Sequence, residues 1–389
     1  MQRNESIVKT EKTIFFIMMW VFYSLNSRYL QVPFAHILRW AFLAALIFCV
    51  LAIEEVPIKE PPKLVVLYLI AVLPSVLFSI DKVESLVKIL SLVIVLWGTY
   101  IYFDTREGKK DLESALKSIM WIMILFEVQS VVCLMLGLGN GDRATGVTTN
   151  PNTLGIYSNV ALLSAFYLWT KKGKKGGWFY VFIIVASAIT AILSGSRMAL
   201  VTLLLNLTII SFLKIKKFLW RVAFVIAVGI FGVLLITGKL GDFGLPALQR
   251  LLSGETSRDE LWELGVSVWK KFPIFGCGYS VSPSYNNLPG SKGYEFHNSF
   301  LTIFAEIGIW GSLILGVSVL WSINSTWKST EGKGKISILQ IAFLLVLELL
   351  IAAWSESYLF AVGSTEACTF WILIAWIIAY KKKNKKELT

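Results

Sequence analysis

Trp178-Phe179-Tyr180-Val181-Phe182-Ile183-Ile184-Val185-Ala186-Ser187-Ala188-Ile189-Thr190-Ala191-Ile192-Leu193 runs into the short polar turn Ser194-Gly195-Ser196. A second apolar run follows at once, opening with Arg197-Met198-Ala199-Leu200-Val201. Each run has the roughly 17–25 residues that a helix needs to cross about 30 Å of hydrocarbon. The stretch therefore reads as two back-to-back crossings joined by a tight turn. The same pattern continues in both directions, from Thr13 to Tyr380. Spans read near residues 13–26, 36–53, 64–80, 86–103, 115–137, 154–170, 178–194, 197–213, 219–237, 298–325, 336–355 and 366–380, about twelve in all. Lipid leaves no partner for an open sheet edge, so the expected fold is all-α: one polytopic membrane domain covering residues 1–389.

Composition agrees with the bilayer as the chain's main partner. The sequence is 56% hydrophobic and 16% charged, which excludes both an ordinary soluble domain and a disordered chain. The formal charge of +12 is not a nucleic-acid footprint, because of where the lysines fall. They cluster at Lys109-Lys110, Lys171-Lys172, Lys174-Lys175, Lys214, Lys216-Lys217, Lys333, Lys335 and Lys381-Lys382-Lys383. With about twelve spans these clusters share one side with both termini, so the positive-inside rule assigns both ends to the cytoplasm. Cys49, Cys133, Cys277 and Cys368 stand singly and read as packing residues, with no zinc site or disulfide framework.

The outward segments follow from that topology. Short ones lie near residues 26–34, 81–85, 194–196 and 356–365; longer ones cover 138–153 and 238–297. Within the largest, Ser257-Arg258-Asp259-Glu260 fits a capping box. Leu261, Gly265, Val268, Trp269 and Phe272 then recur at helical spacing, predicting an amphipathic helix at the membrane surface or against the bundle. Pro273 ends it, and Gly276-Cys277-Gly278 reads as a flexible turn.

Cations on the outer side are sparse enough to interpret. Arg143, Arg197, Arg258 and His297 each sit beside a glycine, a turn or a helix start. A guanidinium is a permanent charge with a planar fork that holds phosphate oxygens two at a time. Arg197 and Arg258, from different segments, would clamp a diphosphate and take up its charge as a leaving group. His297 titrates in the right range to act as general base on an acceptor hydroxyl. Read singly, Arg197 fits equally a snorkelling interfacial residue, and His297 a helix-start histidine bonded to backbone. Arg143 to Asn152 fits equally a capped loop or a substrate contact, and Asn298 stands beside His297. Trp262, Trp269 and His36 read as interfacial residues. Glu127 and Glu348 lie deep in spans and need partners there. They are the basis of a competing reading as a transporter or flippase. Charge gathered at one rim favours an enzyme instead.

Taken in order, Arg143 to Asn152, Gly195-Ser196-Arg197, Arg258 to Trp262, Pro273-Ile274-Phe275-Gly276-Cys277-Gly278 and His297-Asn298 through Glu306-Ile307-Gly308 resemble the O-antigen ligase and polymerase family of bacterial envelope enzymes. The resemblance implies a GT-C-like, inverting glycosyltransferase that needs no metal or other cofactor. It implies an undecaprenyl-diphosphate-linked glycan as donor at the outer face of the inner membrane. The acceptor would be lipid A core sugar for a ligase, or a second lipid-linked glycan for a polymerase. Arg197 and Arg258 match the family's diphosphate-binding arginines and His297 its proposed base. The absence of an Asp-x-Asp and the wide separation of the two histidines agree on metal.

Overall fold

The computed structural model describes residues 5–25, 27–29, 60–106, 109–139, 141–172, 177–214, 217–236, 258–285, 295–324, 326, 336–361 and 363–384. Among these it is all-helical apart from turns and one 3₁₀ segment. In chain order the helices are α1 (Glu5–Ser24), α2 (Lys63–Val76), α3 (Lys82–Asp104), α4 (Lys109–Met135), α5 (Pro151–Lys172) and α6 (Gly177–Leu193). They continue with α7 (Arg197–Lys214), α8 (Phe218–Ile236), α9 (Asp259–Lys271), α10 (Ser299–Ile323), α11 (Ile338–Ala352) and α12 (Thr365–Lys383). Every expected span falls on one of these except 36–53, which lies outside the described residues with His36 and Cys49.

Three helices, α3, α4 and α10, are each long and apolar enough to cross a membrane by themselves, and shorter apolar helices accompany them. The chain is a multi-pass membrane protein. α5 is buried on all sides from Leu154 to Leu168, and α12 from Thr365 to Ile377. With α11 they form the centre, around which the other helices pack. The opposite surface is apolar too. Leu313, Val317 and Leu320 on α10 are each at least 60% exposed at helical spacing, which is a lipid-facing stripe. The carboxyls deep in the bundle are partnered. Glu127 accepts from Ser158 Oγ at 2.9 Å, joining α4 to α5, and Glu348 accepts from Asn206 Nδ2 at 2.8 Å, joining α11 to α7. Both serve as interhelical polar contacts.

α10 is broken at its middle. Gly308 has φ +62, a conformation open to glycine and costly for other residues. Into that break runs the segment Pro273–Gly278. The carbonyl oxygens of Ala305 and Glu306 accept from the amides of Cys277 and Gly278 at 2.9 and 3.1 Å. Beyond the break, the amides of Ile309 and Trp310 donate to the carbonyls of Pro273 and Ile274 at 2.9 and 3.1 Å. The backbone groups orphaned by the break are thereby satisfied within protein, the condition for irregular backbone in a membrane domain. The expectation of a flexible Gly276-Cys277-Gly278 turn is therefore corrected. The segment is fixed, Cys277 is fully buried, and burial together with the nearby Glu306 carboxyl holds its thiol well above the ordinary value.

α9 and α2 share α10 between them. Trp310 donates to the Ile70 carbonyl and Gly311 meets the backbone of Ala71, so α2 lies along the half after the break. α9 lies along the half before it: Gly265 packs on Leu301 and Phe296, and Trp269 meets Phe304 edge-on at 5.9 Å. The contacts advance together along both helices, so α9 and α10 run parallel. The amphipathic helix is thus present, and its apolar face lies against the bundle. Its start differs from the capping box expected. Arg258 occupies the N-cap position with no side-chain cap, and Ser257 lies outside the described residues.

Candidate active site

Because α9 and α10 run parallel, Arg258 and His297 arrive at the same end of the bundle. The connection from α11 to α12 is stitched to that end. Ser299 amide donates to the Ala353 carbonyl, and its hydroxyl donates to the Glu356 carbonyl while accepting from the amides of Tyr358 and Leu359. The Asn298 amide donates to Ser357 Oγ at 3.0 Å. These bonds fix Glu356, whose side chain is only 12% exposed, beside His297.

Glu356 is the residue on which the group converges. Arg258 Nη2 donates to its Oε1 at 3.1 Å, while Nη1 donates to the Ser355 carbonyl at 2.6 Å. Asn152 Nδ2 donates to the same Oε1 at 2.5 Å. Arg143 Nη2 donates to Asn152 Oδ1, and Arg143 Nε to the Ser194 carbonyl at 2.7 Å. His297 Nδ1 lies 3.5 Å from Glu356 Oε2, longer than a good hydrogen bond and short enough to close into one. His297 is also held at φ +49, a strained position that histidine tolerates better than most and that recurs at functional sites. Its side chain is one-third exposed, so it remains open to a substrate.

The expected residues are therefore sorted. Arg143, Asn152, Arg258 and His297 join one network. Arg197 opens α7, half-buried, on the turn whose Ser194 carbonyl Arg143 grips. Asn298 spends its side-chain oxygen on the Leu301 amide at 3.0 Å, as the N-cap of α10. Glu356 went unread in the sequence. Its signal was a single acid between two serines on a rim otherwise marked by cations.

The electrostatics favour an anion. α5, α7, α9 and α10 begin at Pro151, Arg197, Asp259 and Ser299, so four positive dipole ends accompany the three arginines and offset the carboxyls of Glu295, Glu356 and Glu366. Residues 181–316 match the family model described as O-antigen ligase. That segment is similar to an O-antigen ligase domain. A comparison with curated proteins finds no match.

The ligase match runs from α6 to the far half of α10. It contains Arg197, Arg258, His297 and the broken helix. Arg143 and Asn152 precede it, and Glu356 follows it. The match points to membrane glycan transfer of ligase or polymerase type, a family whose substrates are lipid-linked glycans. Half of the candidate residues lie outside the matched segment: Arg143 just before α5, Asn152 in its first turn, and Glu356 in the connection from α11 to α12.

Proposed function

We propose that this enzyme transfers a glycan from an undecaprenyl-diphosphate donor to a sugar hydroxyl of lipid A core, at the outer face of the cytoplasmic membrane, with both termini inside. The observation that carries the reading is the convergence of Arg258, Asn152 and His297 on Glu356. Glu356 takes up His297 Nδ1–H, which leaves Nε2 as the basic nitrogen. Nε2 accepts the proton of the acceptor hydroxyl as its oxygen attacks the anomeric carbon. The bond from that carbon to the diphosphate breaks, and the electron pair leaves with the phosphate oxygen. Arg258 and Arg197, helped by the helix N-termini, stabilise the departing charge in the role that a divalent cation plays elsewhere. Attack opposite the leaving group inverts the anomeric carbon. The tail of the donor stays in lipid throughout.

The reading is tested with purified full-length protein, an undecaprenyl-diphosphate glycan and EDTA, offering lipid A core and a second copy of the donor as acceptors. Transfer to lipid A core is expected, with inversion. His297→Ala should lower turnover by about 10²-fold or more. Transfer only to the second donor would make the enzyme a polymerase, and loss of all transfer in EDTA would remove the metal-free route.

The arginines give a separate expectation. Arg258→Ala and Arg197→Ala should each lower kcat by about 10²–10³-fold, the effect of deleting one preorganised donor at a developing anion. Lysine at either position should restore little, since a point charge lacks the fork. Full activity in both alanine variants would refute the clamp.

A further inference from the structure

Glu306 has no part in the chemistry above, and it is 2% exposed. Its Oε1 accepts from Ser282 Oγ at 2.7 Å, and the backbone amides of Ser280 and Ser282 also donate to the carboxyl. Its second oxygen has no partner among the described residues. Ser280 is itself held at φ +60, so the chain turns sharply over the carboxyl. Just before that turn lies the segment that crosses the break in α10, and Glu306 is the second-last residue before Gly308. The turn also reaches the start of α3, where Ser85 Oγ donates to the Tyr279 carbonyl at 2.9 Å.

We propose that Glu306 is a positioning residue that latches α9 to α10 and so sets the distance between Arg258 and His297. The reasoning is geometric. α9 carries Arg258 at its start and is continuous with the crossing segment at its end. α10 carries His297 just ahead of its own start. The two helices pack along their length through apolar contacts of Leu264, Gly265, Val268 and Trp269. Apolar packing of that kind fixes separation better than it fixes sliding. The four backbone bonds of the crossing and the Glu306–Ser282 latch fix the register. A slide of α9 by a fraction of a turn would carry Arg258 away from Glu356 and from the leaving diphosphate. The inference rests on the transfer reading for its kinetic arm, so a structural arm is needed beside it.

The kinetic arm compares Glu306→Ala, Glu306→Gln and Ser282→Ala in the wild-type and Arg258→Lys backgrounds. Glu306→Ala should reduce donor kcat/KM by about 10–100-fold, the scale on which small misplacements act. Glu306→Gln keeps an acceptor oxygen and should recover most of that loss; Ser282→Ala should show a smaller loss in the same direction. In the Arg258→Lys background the Glu306→Ala effect should shrink to about 2-fold, because the group being positioned is already impaired. An equal loss in both backgrounds would mean that Glu306 supports the fold generally, and would overturn the proposal.

The structural arm places spin labels at exposed Glu263 on α9 and exposed Leu313 on α10 of the full chain in lipid nanodiscs. One narrow distance distribution is expected with Glu306 present, and a broadened or shifted one with Glu306→Ala or Ser282→Ala. An unchanged distribution in both variants would also overturn it. Should wild type transfer nothing to either acceptor, the proposed function fails while the label distances still decide the latch.

Discussion

Glu356→Gln lowers kcat on the order of 10⁴-fold, the loss that follows when a charged partner of a catalytic imidazole becomes an amide. Glutamine keeps the shape and one acceptor oxygen, so Arg258 and Asn152 retain a partner. It also brings an NH₂ group that donates to His297 Nδ1. The imidazole then carries its proton on Nε2, the nitrogen that must be free to accept one. Donor KM should fall, because Arg258 no longer has to leave a carboxylate to meet the diphosphate. Glu356→Asp should recover part of the rate, since the charge returns without the full reach. Steady-state transfer at saturating donor, with thermal unfolding as a check on folding, measures all of this. A kcat within 10-fold of wild type for Glu356→Gln would remove the carboxylate from the proton path.

Gly276→Ala should abolish transfer and release α9 from the bundle. A Cβ at Gly276 would lie 2.2 Å from the carbonyl carbon and oxygen of Glu306 and 2.3 Å from the Ile307 amide nitrogen. These are backbone atoms, so no rotamer change relieves the overlap. The residue also sits at φ +78, where alanine costs about 1–2 kcal/mol before any clash is counted. Together they belong with the rare single changes that exceed about 4 kcal/mol. The crossing would have to withdraw from α10, loosening the backbone at the already exposed Lys270 and Lys271 and leaving the break unpaired. Trypsin should then cut there in membranes that leave wild type intact. Gly316→Ala on the same helix is the comparison. Nothing lies within 4 Å of its added Cβ, and alanine in a helix is favoured over glycine by about 1 kcal/mol, so it should be neutral or mildly stabilising. Equal protection of wild type and Gly276→Ala would mean that the crossing tolerates a side chain.

The bundle was legible because the bilayer demands one simple pattern, and α5, α6 and α7 meet that demand with apolar runs ended by lysines or a glycine turn. His297, Arg258, Arg197 and Arg143 stand out in the sequence because charge at the edge of an apolar run is costly without a partner. Two features were not legible. Glu356 is a lone acid in Ser355-Glu356-Ser357, and only the packing of α5, α9 and α10 at that end brings Asn152, Arg258 and His297 to its carboxylate. The break in α10 was hidden because Gly308 sits inside an apolar run that reads as an uninterrupted span. Its partner segment looked loose, since glycines that permit flexibility in solution are the same glycines that permit close backbone approach. Which one applies depends on what packs against them.

The arginine contacts also bear on what happens after the bond breaks. Arg258 has a carboxylate and a backbone carbonyl for company, and Arg143 has its own carbonyl and amide. A diphosphate must displace these partners on arrival, which lowers its net affinity. The same partners are waiting when the spent carrier lipid leaves, so its departure costs less than pulling an anion from a bare cationic pocket. An enzyme that binds a multiply charged leaving group in a dry membrane rim risks holding its product too long. Glu356, by recapturing Arg258, gives this one a way to let go.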